Sequence, residues 1–252
     1  MVSGLQTAAS AMDAQQERLA VLANNLANAT AAGYKADQPE FFQLLTSPRA
    51  AGSVSPTGSA APLPELPGVV HTRVDFSSGP LRETGNPLDF ALEGKGFFVV
   101  RAQNGNRLTR AGTFTRLSDG NLGTQDGMPV LGADGRPLTL PDGARLSVDE
   151  RGNVSVDGSE VGTLMIVAPD DPSRLTKEAG TRFAAPADMA LPAATDVTVR
   201  QGAVEQSNVN PILTLVEMID ALRVYEAAQK AAHGVDETVQ RAVNEVGRPP
   251  GA

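Results

Sequence analysis

The sequence contains no cysteine and no tryptophan among its 252 residues. Without cysteine, a disulfide framework, a thiolate metal site and a cysteine nucleophile are all excluded. No apolar run reaches the ~18 residues that a membrane-spanning helix needs, and the N-terminus lacks the basic region, apolar core and cleavage site of a secretory signal peptide. We therefore expect no direct membrane insertion, and either a cytoplasmic protein or one that is exported without a cleaved signal.

Positive charge and histidine are also scarce. The chain has 21 Lys and Arg against 29 Asp and Glu, a net charge of -8, which argues against nucleic acid or an anionic membrane as the main partner. The two histidines, His71 and His233, lie in different regions, and no Gly-x-Ser-x-Gly motif is present. The run 93–96, Glu-Gly-Lys-Gly, lacks the spacing of a phosphate-binding loop. We expect no enzymatic activity, no metal and no cofactor.

An amphipathic helix is predicted at the start of the chain. Its stripe advances in alternating steps of four and three residues, the spacing that faces a partner helix, through Leu5, Ala9, Met12, Gln16, Leu19, Ala23 and Leu26. The run 31–33, Ala-Ala-Gly, predicts the end of this helix, because glycine can adopt the left-handed conformation. Asn24, Asn25 and Asn28 cost helix propensity, so we expect them to make specific hydrogen bonds.

The middle of the chain, from about Val69 to Arg200, has the pattern of β structure. Short β-prone runs occur at 97–100, 146–148, 154–156 and 164–167. Between such runs lie dipeptides that favour hairpin turns because both residues can take positive φ, at 104–105, 119–120, 126–127, 134–135, 142–143 and 157–158. None of these fits a calcium loop of the EF-hand type. The pattern predicts an irregular antiparallel β domain.

A second helix is predicted at the end of the chain. Asn210 and Pro211 provide an N-cap and a first turn, and the helical pattern runs to about Val246. One apolar seam contains Ile212, Leu215, Ile219 and Leu222; a second contains Tyr225, Ala228, Ala232, Val235, Val239, Ala242 and Val246. The three-residue steps between the seams predict a stammer, a local overwinding of a coiled coil. Neither terminal helix can bury its stripe alone, so we expect them to pack together and to present leftover apolar surface to other subunits.

The predicted fold class is α+β, with N- and C-terminal helices packed as a coiled-coil-like pair around a central irregular antiparallel β domain. Residues 1–35 and 201–247 form the predicted helical domain, and residues 69–200 form the β-rich domain. Residues 36–68 are predicted to be an extended linker, since Thr46 to Gly68 consists largely of Pro, Gly, Ser and Ala. The tail 248–252 is expected to fray.

Several motifs carry a resemblance to a known family. The first helix contains Met-Asp-Ala-Gln-Gln at 12–16 and Ala-Asn-Asn-Leu-Ala-Asn at 23–28, followed by Gly-Tyr-Lys at 33–35. The chain later contains Gly-Lys-Gly-Phe-Phe-Val-Val at 94–100 and Thr-Arg-Ala-Gly-Thr-Phe at 109–114, and Ser-Asn-Val-Asn at 207–210 precedes Arg-Val-Tyr-Glu at 223–226. This series resembles the bacterial flagellar rod and hook proteins over most of the chain.

The resemblance implies a structural subunit of the flagellar basal-body rod, the axial shaft that transmits torque from motor to hook. It implies partners among its own copies, other rod subunits and the flagellar type III export apparatus, and a location in the periplasm-spanning rod. The run 127–143 is more similar to proximal than to distal rod members. Two other classes stay open from the residues alone: a secreted β-rich adhesin or binding module, and a hydrolase.

The resemblance and the two helical stripes together define a predicted assembly interface. It comprises Leu5, Ala9, Met12, Leu19, Ala23, Asn24, Asn25, Leu26, Asn28, Ser207, Asn208, Asn210, Ile212, Leu215, Ile219, Leu222, Tyr225, Ala228, Val235 and Val239. Phe41 and Leu45 fall where related export substrates carry a short hydrophobic export motif. The alternative for this pair is simple packing beneath the linker.

Overall fold

The structure is a computed structural model that describes residues 2–41, 70–141, 143, 145–178 and 180–246. Helix α1 spans Val2–Ala27 and helix α2 spans Pro211–Val246. The sixteen strands of the described residues are β1 Asp37–Phe41, β2 Val70–Val74, β3 Leu81–Glu83, β4 Phe90–Gly94, β5 Phe97–Ala102, β6 Gly105–Thr109, β7 Phe114–Arg116, β8 Leu122–Thr124, β9 Leu146–Val148, β10 Asn153–Val156, β11 Ser159–Thr163, β12 Ile166–Val167, β13 Thr176–Lys177, β14 Arg182–Ala184, β15 Val197–Gln201 and β16 Ala203–Glu205. A 3-10 helix spans Pro172–Arg174.

The chain divides into two compact units. The first takes its described residues from Met1–Asn24, Asp37–Arg73 and Ile212–Ala252, and so holds most of both long helices and the β1–β2 pair. The second consists of Asn25–Ala36 and Val74–Pro211. The last turn of α1 and the residues just before α2 therefore belong with the β strands. Residues 37–41 of the predicted linker 36–68 form β1. The linker from residue 42 onwards, which includes Leu45, and the predicted tail 248–252 lie outside the described residues.

Antiparallel sheets build the second unit. The largest has the strand order β12-β5-β6-β14-β13, and a three-stranded sheet has the order β11-β10-β9. Further antiparallel pairs join β15 to β4, β16 to β3 and β7 to β8. The α+β class with antiparallel β structure is confirmed. The last two strands pair with early ones, so the C-terminal end of the unit completes sheets that begin more than a hundred residues before it.

Strand β5 separates two hydrophobic cores. Successive side chains of a strand point to opposite faces, and Phe98 and Val100 enter one core while Phe97 and Val99 enter the other. In the first core Phe98 meets Phe114 edge to face, with ring centroids 5.2 Å apart. Burial on both faces explains why the run 97–100 is continuously apolar instead of alternating.

The predicted turns form, with a different backbone from the one expected. Glycine has positive φ in every one of the predicted dipeptides, at Gly105, Gly120, Gly127, Gly135, Gly143 and Gly158. Among the described residues only Asp157, with φ +50°, is a non-glycine residue with positive φ. Two positive φ angles in succession therefore occur at 157–158 alone among the described turns. At 104–105, 119–120, 126–127 and 134–135 only the glycine has positive φ, because one glycine suffices to reverse the chain.

The first helix ends earlier than the sequence predicts. It ends at Ala27, and Gly33 does adopt a left-handed φ of +67°, six residues later. Between them the backbone N–H groups of Asn28 and Ala29 donate to the carbonyls three residues back, at 3.1 and 3.2 Å. This tighter i to i-3 pattern ends the α-helix before the glycine is reached. Helix α2 has the predicted bounds and continues through Gly234 without a break.

Candidate functional site

An exposed apolar face lies at the start of α2. Seven large apolar side chains there are 45–77% exposed, and we call them the apolar face of α2: Ile212, Leu213, Leu215, Val216, Ile219, Leu222 and Val224. Isolated apolar residues on a surface are ordinary, but a contiguous cluster on one element marks an interaction surface. The apolar face of α2 contains the whole of the first predicted seam.

The least exposed stripe of α2 is a different face of the helix. Thr214 and Ala221 are buried, and the partly buried residues on the same line are Met218, Tyr225, Ala228, Ala232 and Val235. From 214 to 235 this stripe advances in steps of four and three without interruption. The predicted stammer is wrong, since it arose from joining two separate faces into one seam. The side chain of Val239 lies outside the described part.

The predicted stripe of α1 is only partly inward. Met12, Leu19 and Leu26 are half-buried, whereas Ala9 and Ala23 are exposed. The buried apolar residues are Ala14 and Leu22, which the predicted stripe omits. Alanine is the most frequent residue of this helix and contributes little apolar surface, so the apolar period is weak and its phase is poorly defined by the sequence. The side chain of Leu5 lies outside the described part of the chain.

The polar residues of the predicted interface have varied roles. Asn25 is buried and its Oδ1 accepts the hydroxyl hydrogen bond of Tyr34 at 3.1 Å, which confirms the expected specific bond at that position. Asn208 is held inside the second unit: its Oδ1 accepts from the backbone N–H of Ala36 at 2.7 Å. Ser207 is buried as well. The other polar members, Asn24, Asn28 and Asn210, are exposed or half-buried.

Three buried charged residues meet at the junction of the terminal motifs. Lys35 Nζ lies 2.6 Å from Glu205 Oε1, and both side chains are only 1% exposed. Arg110, with its side chain 4% exposed, approaches from the other side, its Nε 3.5 Å from Glu205 Oε2. That distance gives an ion pair, and Glu205 Oε2 accepts no hydrogen bond. We call these three residues the buried ion cluster.

Backbone groups complete the surroundings of the buried ion cluster. The N–H of Gly79 donates to Glu205 Oε1 at 2.9 Å, and Lys35 Nζ donates to the carbonyl of Ser77 at 2.7 Å. The guanidinium of Arg110 donates to the carbonyls of Leu92 and Gly94. Since a buried charge is costly unless it is paired and hydrogen-bonded, these contacts explain why the cluster is tolerated inside the fold.

Burial dominates the protonation of Lys35. Desolvation lowers the pKa of Lys35 below its usual 10.5, and the nearby Glu205 carboxylate opposes part of that shift. Between the folded pKa and 10.5 the unfolded chain binds more protons, so through this group the free energy of unfolding rises with pH in that window.

Two of the cluster residues lie inside the motifs of the resemblance and the third lies two residues before one, but no role was predicted for any of them. Lys35 ends the first motif, Arg110 lies in the run 109–114, and Glu205 precedes the run 207–210. The local sequence does not single these residues out, since Asp37 lies two positions after Lys35 and Arg107 lies three positions before Arg110. What the sequence alone could not supply is the pairing, since Lys35 and Glu205 are separated by 170 positions.

The carboxylate of Asp149 should make the stability of the second unit depend on pH. Its pKa lies below the usual 3.8, chiefly through the side-chain amide of Asn153 and then through backbone N–H groups of Asn153 and Arg151. A carboxyl group whose pKa is lower in the folded chain than in the unfolded chain stabilises the fold at pH values above the unfolded pKa. This contribution is lost as pH falls through the folded pKa. We expect Asp149→Asn to lower the free energy of unfolding near pH 7, and this difference to shrink as pH falls below 3.8 and through the lower pKa of the folded state. A difference that stays constant in denaturant titrations across this range would contradict the assignment.

Within the described ranges, no group of three or more His, Asp or Glu side chains is placed to hold a metal ion. No helix in that same part of the chain is long and apolar enough to cross a membrane.

Comparisons with known protein families match three segments of the chain. Residues 5–35 match the flagella basal body rod protein family, and residues 200–245 match the C-terminal family of flagellar basal body rod FlgEFG proteins. Residues 91–156 match the D1 domain of flagellar hook proteins FlgE/F/G. Over nearly its whole length the chain is 31% identical to the flagellar basal-body rod protein FlgF of Caulobacter vibrioides, with 92% of this chain and 93% of the relative covered. The chain belongs to the flagellar basal-body rod family.

Other relatives support the same placement in the rod family. The chain is 32% identical to the flagellar basal-body rod protein FlgG of Agrobacterium fabrum, with 92% of this chain and 95% of the relative covered. It is 33% identical to the flagellar hook-basal body complex protein FlhO of Bacillus subtilis, with 98% and 100% covered. None of these relatives is named as an adhesin or a hydrolase. As a rod-family member the chain is a structural protein and not an enzyme.

Proposed function

We propose that this chain is a rod subunit that polymerises through its terminal helices, with the apolar face of α2 as the principal contact with other copies and other rod subunits. The observation that carries the proposal is the exposure of that face, which lies inside the segment 200–245 that matches the rod family. Burial of the remaining exposed surface of each such side chain contributes roughly 1 kcal/mol. Seven of them on one helix provide a strong tendency to associate.

The stripes of the two helices support the finer part of the proposal. The uninterrupted four-and-three stripe of α2, from Thr214 to Val235, has the period of a coiled coil. We therefore retain the coiled-coil-like pairing of α1 and α2, and the division into a helical domain and a β-rich domain, as parts of the proposal. Close-packed helices resist shear, which suits a shaft that transmits torque.

Export and location complete the proposal. The chain reaches the basal body through the flagellar type III export apparatus, with Phe41 and Leu45 as the candidate export motif; Phe41 ends β1, and Leu45 lies outside the described residues. A proximal position along the rod is the expectation from the run 127–143. The amount of this chain relative to hook protein in purified hook-basal bodies distinguishes a proximal from a distal position.

Substitution of Ile219 tests the assembly role. Ile219 is 50% exposed on the apolar face of α2, and an aspartate there would place an unpaired charge in the subunit contact, at a cost of several kcal/mol. We expect Ile219→Asp to abolish motility and to be missing from purified hook-basal bodies. The isolated variant should keep the circular dichroism and the denaturation midpoint of the native chain.

The control is Gln103→Asp, an equal charge change at an exposed position between β5 and β6 in the second unit. We expect it to assemble and to support motility. Motile cells carrying Ile219→Asp, with the variant in their basal bodies at the normal amount, would reject the apolar face of α2 as the contact.

A further inference from the structure

Three distant segments of the second unit converge on the buried ion cluster. The segment 33–36 follows α1, the segment 75–81 leads into and begins β3, and the segment 205–208 precedes α2. They are joined by backbone hydrogen bonds from Gly33 N–H to the Glu205 carbonyl at 2.7 Å, and from Gln206 N–H to the Pro80 carbonyl at 2.9 Å. The third segment, 205–208, is therefore bonded to the first through Glu205 and to the second through Gln206.

The carboxylate of Glu205 contacts the other two segments at once. Its Oε1 accepts from Lys35 Nζ in the first segment and from the N–H of Gly79 in the second. Lys35 Nζ in turn donates to the carbonyl of Ser77, so the same ammonium also bridges to the second segment. Asn208 repeats the arrangement, since its Oδ1 accepts from Ala36 N–H and its Nδ2 donates to the Asp75 carbonyl at 2.9 Å.

This geometry makes separate opening of one segment costly. If 33–36 left, Glu205 would lose Lys35 while still buried beside Arg110; if 205–208 left, Lys35 and Arg110 would remain as two buried cations without a carboxylate. Breaking a buried pair by removing one partner costs far more than releasing both charges to water together. The cheapest opening therefore releases all of the groups in one event.

We propose that the buried ion cluster is a latch that couples the segments 33–36, 75–81 and 205–208 into one cooperative element, which opens and closes as a whole. The latch closes only when residue 35 and residue 205, separated by 170 positions, are both in place. The three segments of the second unit thus become ordered together. All contacts of the latch lie within the second unit and do not depend on the proposed polymerisation.

Native-state hydrogen exchange on the unmodified full chain tests the latch. Amides that open in one event share one opening free energy and one dependence on denaturant. We expect the amides of Gly33, Gly79 and Gln206 to merge into a single exchange isotherm at low denaturant, measured by site-resolved NMR. Three distinct isotherms, with one segment exchanging while the others remain protected, would overturn the proposal.

A variant supplies the second arm. Lys35→Met removes the ammonium and keeps the apolar stem, so the latch model predicts faster exchange at Gln206 and Gly79, by about a hundredfold or more. The control is Arg200→Met, which breaks the exposed pair of Arg200 with Glu93 in the neighbouring strands, and it should leave both amides unchanged. Acceleration confined to residues adjacent to position 35 would overturn the coupling. If Lys35→Met does not fold, the isotherms of the unmodified chain decide the question.

Discussion

Glu205→Gln is expected to destabilise the isolated chain by about 3–5 kcal/mol, because it leaves Lys35 and Arg110 as buried cations without a countercharge. The substitution preserves the shape of the side chain, so loss of charge is the main change. Both partners are almost fully buried, and water cannot screen them as it does on a surface. The measurement is the free energy of unfolding from urea titration at neutral pH.

Two further variants make this result specific. Glu93→Gln breaks the pair with Arg200, whose side chains are 43% and 54% exposed, and should cost no more than about 1 kcal/mol. Adding Lys35→Met to Glu205→Gln removes one of the two cations that lack a partner. The free energy of unfolding lost by the double variant should therefore be smaller than the sum of the two single losses, by roughly 0.5–3 kcal/mol. Strict additivity, or an equal loss from Glu93→Gln, would show that the buried ion cluster has no special energetic role.

Gly33→Ala is expected to destabilise the chain by roughly 2–5 kcal/mol, the sum of steric overlap and backbone strain. A Cβ at this position would lie 2.2 Å from the backbone nitrogen of Ala111 and 2.3 Å from the carbonyl carbon of Arg110. Both are backbone atoms, which cannot move aside as the end of a flexible side chain can. Gly33 also has φ +67°, which L side chains rarely adopt. The displaced segment would carry Lys35 with it, so the loss is to be measured both as unfolding free energy and as proteolytic cleavage within 33–36.

Gly85→Ala separates the two causes of that loss. Gly85 has nearly the same φ, +70°, but a Cβ there meets no atom within 4 Å. We expect it to cost only the conformational strain, roughly 1–2 kcal/mol. Equal losses at Gly33 and Gly85 would mean that close packing against Ala111 contributes nothing.

The turns and the terminal helices could be predicted from the sequence because their causes are local. Glycine at a turn and the Asn-Pro start of α2 act through the backbone of two or three adjacent residues. The run 97–100 was predicted as a strand for the same reason. Its position between two cores was not predicted, since burial on both faces depends on which distant elements cover the strand.

The faces of the helices and the buried ion cluster could not be predicted, because they depend on partners far away in the chain. In α2 an exposed apolar stripe and a partly buried stripe run along the same part of the helix. Both repeat with helical spacing, so the spacing does not show which of them faces inward. In α1 the end at Ala27 was missed because a tight turn preceded the glycine. Lys35, Arg110 and Glu205 are ordinary charges when read one at a time; only the fold brings them together.

Two of the points at which the chain leaves the second unit, after Ala36 and after Pro211, are held close together. Ala36, where the segment after α1 ends, donates its N–H to Asn208, three residues before α2 begins, and Asn208 N–H donates to the carbonyl of Tyr34 at 3.4 Å. Because Ala36 and Asn208 are bonded to each other within the second unit, its loops can gain or lose residues without moving these two exits. The strands of this unit can therefore differ in number and length between related chains while the segments 33–36 and 205–208 keep their contacts.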